Sequence, residues 1–177
     1  MIVKLTPEVW WGDKPSVQES LGEVKSIINV AHAIRRPYWK DLGNLDWRVW
    51  YLRLALPDRE PVDDMYMQMF ESAIWAINGA KKFPLLCHCR AGGHRGPAAA
   101  FLAAFRLCPD KFSRGELVGR MRKLKPTFFD YHPKRVYRNT ILQRMGLLEH
   151  DRREMPLVRW KMLLREFVVV REVRSVG

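Results

Sequence analysis

The sequence predicts an α/β domain with a central, mostly parallel sheet of about four to five strands flanked by helices. Short apolar, β-branched runs alternate along the chain with segments whose apolar residues recur at helical spacing. The run Phe83–His88 (FPLLCH) is almost wholly apolar, as expected of a strand covered on both faces at a sheet's centre. That run passes straight into a glycine-rich turn and then into a helix beginning near Pro97, which tolerates the first helical turn because its missing N–H has no partner there.

The remaining elements follow in order. Ile2–Leu5 and Val9–Trp11 read as strands around Thr6 and Pro7, and the turn cluster Gly12 to Pro15 follows them. Ser16 is expected to cap a short helix running to about Glu23. Ser26–Ala31 (SIINVA) has the content of a buried strand, residues 34–46 form a polar, turn-rich loop, and Trp47–Leu54 is a strand. Asp63 is placed to cap a helix whose stripe is Met65, Met69, Phe70, Ala73, Ile74 and Ile77, with Gly79 at its end. After the helix AAAFLAAFRL, Ser113 and Glu116 form a capping box for a helix with Leu117, Met121 and Leu124 inward. Residues 133–145 make a last helix closed by Gly146. Residues 1–150 are expected to form one domain, and 151–177 a C-terminal extension packed on it. Within that extension Val158–Leu164 has the pattern of a short amphipathic helix.

The 177 residues suffice for one domain with a sizeable core. With Lys and Arg at 31 against Asp and Glu at 19, the net charge is +12, a field that attracts polyanions or phosphorylated partners. No stretch is long and apolar enough for a membrane span. The first eight residues lack a signal-peptide pattern, so the expected location is cytoplasmic. Three cysteines, Cys87, Cys89 and Cys108, argue against a disulfide framework. Cys87 and Cys89 flank His88 and stand near His94, but zinc ligands usually pair as C-x2-C or H-x3-H, and nothing downstream completes a set. Neither metal nor cofactor is expected, and Cys87 reads as a core residue.

Leu86 to Pro97, LCHCRAGGHRGP, carries the chemistry. An apolar strand delivers Cys89 into a turn whose backbone amides, from Arg90 through Ala91, Gly92, Gly93 and His94 to Arg95, can converge on an anion, with the positive end of the next helix behind them. Gly92 and Gly93 permit the positive φ such a loop needs. The same field favours a cysteine thiolate, hence a nucleophile. Arg95, six residues after Cys89, has a planar guanidinium able to hold two phosphate oxygens.

Cys89, Gly92 and Arg95 match the C-x2-G-x2-R signature of protein tyrosine and dual-specificity phosphatases, and His88 matches the histidine that often precedes its cysteine. The chain resembles that family over roughly residues 8–146, including VWWGD at Val9–Asp13 and SIINVA with Asn29 in a family-like place. The resemblance implies a three-layer fold of the compact, dual-specificity type and a phosphocysteine intermediate on Cys89. It also implies a general acid on an upstream loop. Asp58, 31 residues before Cys89, follows the strand YLRLAL and fits that place; Asp63 and Asp64 compete but suit helix capping better. His88 is assigned only a supporting role. Gly96 departs from the family, which usually has Ser or Thr there to help the thiolate leave. Slower breakdown of the phosphoenzyme is therefore expected.

Protein phosphotyrosine is the first-choice substrate, with phosphoserine or phosphothreonine beside it. An RNA 5′-triphosphate or a phosphoinositide is the alternative, favoured by the charge. Arg90 and His94 would add positive charge to the rim, and Arg35, Arg36, Tyr38 and Trp39 an aromatic, basic wall. Two other classes compete: a phosphate-binding pseudophosphatase, suggested by Gly96, and a nucleic-acid module, whose salt-dependent binding would survive loss of the Cys89 thiol.

Overall fold

The structure, a computed structural model, describes residues 1–31, 49–56, 59–107 and 112–148. Strands β1 (Ile2–Lys4), β2 (Val9–Gly12), β3 (Ser26–Ala31), β4 (Trp50–Leu56) and β5 (Leu85–His88) form one five-stranded sheet in the order β1-β2-β5-β3-β4. Only the β1–β2 pair is antiparallel. β5 lies between β2 and β3, parallel to both, with Cys87 opposite Trp11 on one side and Ile28 on the other. The expected α/β architecture is thus realised, and the apolar run takes the central position its composition required.

Alternation along the strands divides two cores. Val9, Trp11, Ile28, Val30, Leu85 and Cys87 face the larger one, whereas Trp10, Ile27 and Leu86 join Val17 and Val24 on the other face. Helix α1 (Lys14–Ser20) covers the smaller core. Helices α2 (Asp64–Gly79), α3 (Arg95–Leu107), α4 (Arg114–Leu124) and α5 (Val136–Arg144) cover the larger, with α3 packed on the sheet and against the other three. The cluster Phe101, Phe128 and Phe129, with ring centroids 5.0–5.6 Å apart, joins α3 to the 3-10 turn Pro126–Phe129.

Several boundaries differ from expectation. Helix α1 is capped by Asp13, whose carboxylate accepts from the Ser16 amide; Ser16 is the third helical residue and completes a capping box, because the preceding Gly12 turn already presents the better acceptor. In α2 the inward residue is Tyr66, and Met65 is 47% exposed. The spacing 66, 70, 73, 77 follows the helix period more closely than one starting at 65. The turn after Gly79 takes its positive φ at Lys81. Leu124, expected inside, is 45% exposed. The caps of α2 at Asp63 and of α4 at Ser113 with Glu116 form as expected, and Gly146 closes α5 with φ +62°. No helix among the described residues is long and apolar enough to cross a membrane.

Candidate active site

Strands β3, β4 and β5 run parallel, so their C-terminal ends share one edge of the sheet, where α/β folds bind ligands. β5 ends at His88 and places Cys89 at that edge, 4% exposed. The loop then returns into α3 at Arg95. Its first half is fixed by the turn after β2: the Cys89 amide donates to the Gly12 carbonyl at 3.4 Å and the Lys14 amide to the Arg90 carbonyl at 3.2 Å. Gly92 has φ +64°, and a Cβ there would come within 3.1–3.3 Å of the Gly12–Asp13 backbone, so the position needs glycine both for its conformation and for its space.

Gly96 is also explained by close approach. A Cβ would sit 3.3 Å from the Cys87 carbonyl and 3.4 Å from both the Cys89 nitrogen and the Gly12 carbonyl. Helix α3 enters the sheet edge so closely that a side chain at 96 would press on this backbone, which would have to give by a few tenths of an ångström.

Arg95 opens α3 and donates from Nη1 to the Val30 carbonyl at the end of β3, 3.4 Å away. Its charge is felt by two buried phenols. The Tyr66 hydroxyl donates to the Leu54 carbonyl of β4 at 2.8 Å, and the Tyr66 and Tyr137 oxygens lie 2.7 Å apart. Burial holds both hydroxyls well above the ordinary tyrosine range, and the nearby guanidinium opposes that rise. This pair, linking β4, α2 and α5 close to Arg95, escaped the sequence reading; the helical register of Tyr66 was the signal that could have found it.

The His88 imidazole is buried against the other face of the sheet, 6.4 Å from the Tyr51 ring. Burial lowers its pKa to about 4, an effect that the Cys89 backbone and the Asp13 carboxylate oppose. Neither ring nitrogen has a hydrogen-bond partner among the described residues. His88 is therefore neutral near pH 7, with Cys89 immediately after it in the chain. Asn29 donates to the Tyr51 hydroxyl at 2.7 Å and accepts from the Ala31 amide at 2.8 Å, bracing the end of β3. Cys87 is fully buried, and burial pushes its thiol far up, as suits a core residue.

Arg90 and Ala91 are exposed on the loop, and Gly93, His94 and Arg95 are half-buried. Lys125, half-buried at the entry to the 3-10 turn, lies within electrostatic reach of Cys89, Arg135 and Arg138. Burial first, then the Arg138 and Arg135 charges, hold its ammonium below the usual lysine range, and Cys89 opposes them. Arg138 is buried and fixed by bonds to the Thr127 and Asp130 carbonyls. The sequence reading did not select these three cations, which are spread over 14 positions.

Asp58 lies outside the described residues, as do Arg35, Arg36, Tyr38, Trp39 and Cys108. Its neighbourhood is defined on both sides. β4 ends at Leu56 on the same edge as Cys89, and the Val62 carbonyl accepts from Arg144 Nε at 3.0 Å. Asp63 caps α2 by accepting from the Tyr66 amide at 2.7 Å, and Asp64 pairs with Arg144. The two competing aspartates are therefore engaged in capping and pairing.

Several solved structures superpose on this chain. Human DUSP28 superposes with a TM-score of 0.57 at 16% identity, covering 80% of this chain and 90% of its own. OH1 from the Orf virus, a tyrosine phosphatase described as having triple substrate specificity, gives 0.54 at 17% identity, covering 81% and 85%. PTPMT1 in complex with PI(5)P gives 0.54 at 16% identity, covering 81% and 98%. The fold is that of the tyrosine and dual-specificity phosphatases. No family model and no curated protein matches the sequence.

Proposed function

We propose that the chain is a cysteine-dependent phosphatase that hydrolyses phosphate monoesters through a phosphocysteine on Cys89. The observation that carries this reading is the placement of Cys89 at the ligand-binding edge, inside a glycine-shaped loop closed by Arg95. In the proposed reaction the Cys89 thiolate attacks phosphorus, the ester P–O bond breaks, and Asp58 gives its proton to the leaving oxygen. Loop amides and the Arg95 guanidinium hold the equatorial oxygens. Asp58 then takes a proton from water, the water oxygen attacks phosphorus, the P–S bond breaks, and phosphate leaves. Gly96 offers no hydroxyl to the departing thiolate, so the second step is expected to be the slower.

Protein phosphotyrosine is the first substrate, with phosphoserine and phosphothreonine beside it. Release of phosphate from para-nitrophenyl phosphate by wild type and Cys89→Ser tests the chemistry. Wild-type turnover with a pre-steady-state burst, and none in the mutant, is expected. Equal rates in both proteins would defeat the proposal. A folded wild type that binds phosphate but never turns over would favour a pseudophosphatase.

A second reading, an RNA 5′-triphosphate or phosphoinositide substrate, is favoured by the net charge of +12 and by Lys125, which lies within electrostatic reach of Cys89. Added positive charge there suits an anion with more charge than one phosphate. It predicts that Lys125→Ala raises KM several-fold for a 5′-triphosphorylated RNA or a phosphoinositide and leaves a phosphotyrosine peptide unaffected. Parallel KM changes for all substrates would remove that support.

A further inference from the structure

We propose that the C-terminal segment around residues 157–167 docks in a groove at the far end of α3, away from the catalytic loop. The groove, about 610 Å³, lies between α2, the end of α3 and the start of α4, and Ile74, Trp75, Phe105, Leu107 and Phe112 supply its apolar lining. Trp75 is 75% exposed, the most exposed of the large apolar side chains described. An indole that size left in water beside other apolar groups marks a surface that another apolar segment covers.

The exit point of the chain identifies the occupant. Arg114, which also lines the groove, donates from Nη2 to the carbonyls of Met145 at 2.6 Å and Gly146 at 2.9 Å. Leu147 and Leu148 then pack against the core, and the described chain stops there. The segment that follows therefore starts at the groove's rim. Residues 157–167 read LVRWKMLLREF, seven apolar residues in eleven positions, including Trp160 and Phe167. The intervening Glu149–Pro156 is polar and spans up to about 30 Å when extended, ample for a neighbouring groove. The occupant's apolar content matches the lining, and the segment carries Glu166 and basic residues as the rim carries Glu71 and Arg106.

Hydrogen exchange on the full chain tests the proposal, with Trp75→Glu and Trp160→Glu as variants. Trp75 is exposed, so its replacement leaves the core intact, and unchanged protection of β5 verifies this in each sample. In wild type, amides of 157–167 are expected to exchange about tenfold or more slowly than in a free peptide of that sequence, and each variant is expected to abolish that protection. Slowed exchange in 157–167 that Trp75→Glu leaves unchanged would overturn the proposal, as would unprotected wild-type amides. Protection that appears only with rising protein concentration, alongside a doubled mass in light scattering, would assign the groove to a second copy and equally overturn it.

Discussion

At its N-terminal end α3 meets the sheet through Gly96, Pro97, Ala98, Ala99 and Ala100, all buried. At its C-terminal end Phe105, Arg106 and Leu107 leave a groove beside Trp75. Small residues bring the first end close enough for backbone to contact backbone, so the Cys89–Arg95 loop is shaped by carbonyls and amides that cannot choose other rotamers. At the second end the larger Phe105 and Leu107 side chains line an open groove. In the proposed reaction the first end would hold the phosphate in one geometry. The second is suited to being covered by a segment that arrives later.

The largest expected contrast between the ends is with pH. His88 titrates near 4 in the folded protein and near 6.5 when unfolded. Between these values the unfolded chain binds more protons, so His88 favours folding fully above about pH 6.5 and progressively less as pH falls towards 4. By pH 5 the loss amounts to about 2 kcal/mol. Urea unfolding at pH 7.5 and pH 5 is expected to show that loss in wild type and not in His88→Gln. Identical pH slopes would mean that the imidazole is not buried as described.

The tyrosine pair beneath the catalytic loop comes next. Tyr66→Phe leaves both the Leu54 carbonyl and the Tyr137 hydroxyl without their partner, whereas Tyr137→Phe leaves the Tyr66–Leu54 bond intact. A buried polar group without a partner costs more than a bond exchanged with water. Tyr66→Phe is therefore expected to destabilise by about 1–2 kcal/mol and Tyr137→Phe by clearly less. Thermal melts of the two variants give the order; the reverse order would show that the proton lies on the other oxygen.

The same contrast explains what was legible in the sequence. The Cys89–Arg95 loop was, because Cys89, Gly92 and Arg95 lie within seven consecutive positions between an apolar strand and a helix, and the positive φ at Gly92 calls for glycine. The central strand was, because a strand covered on both faces has no polar side chains to disguise it. What depends on tertiary proximity was not: Tyr66 and Tyr137 are 71 positions apart, and their bond has no local trace. Lys125 reads as an ordinary helix-ending lysine until the fold brings it near Cys89. Gly96 reads in the sequence as a reason for slower breakdown of the phosphoenzyme, and the structure adds a steric reason for it in the Cys87 carbonyl.

The smallest effect sharpens the comparison from the far end. Arg106 and Glu71 lie 2.6 Å apart at the groove's rim, 47% and 34% exposed. An exposed pair of this kind contributes about 0.2–1 kcal/mol, because water solvates both partners nearly as well apart. Cover from residues 157–167 would remove part of that water and strengthen the attraction. A double-mutant cycle with Arg106→Ala and Glu71→Ala is therefore expected to give a larger coupling in the full chain than in a Trp160→Glu background, where it should return to the exposed range. Equal couplings would leave the groove as open in solution as the described residues show it, with the rigid N-terminal end of α3 as the only end built to close on a ligand.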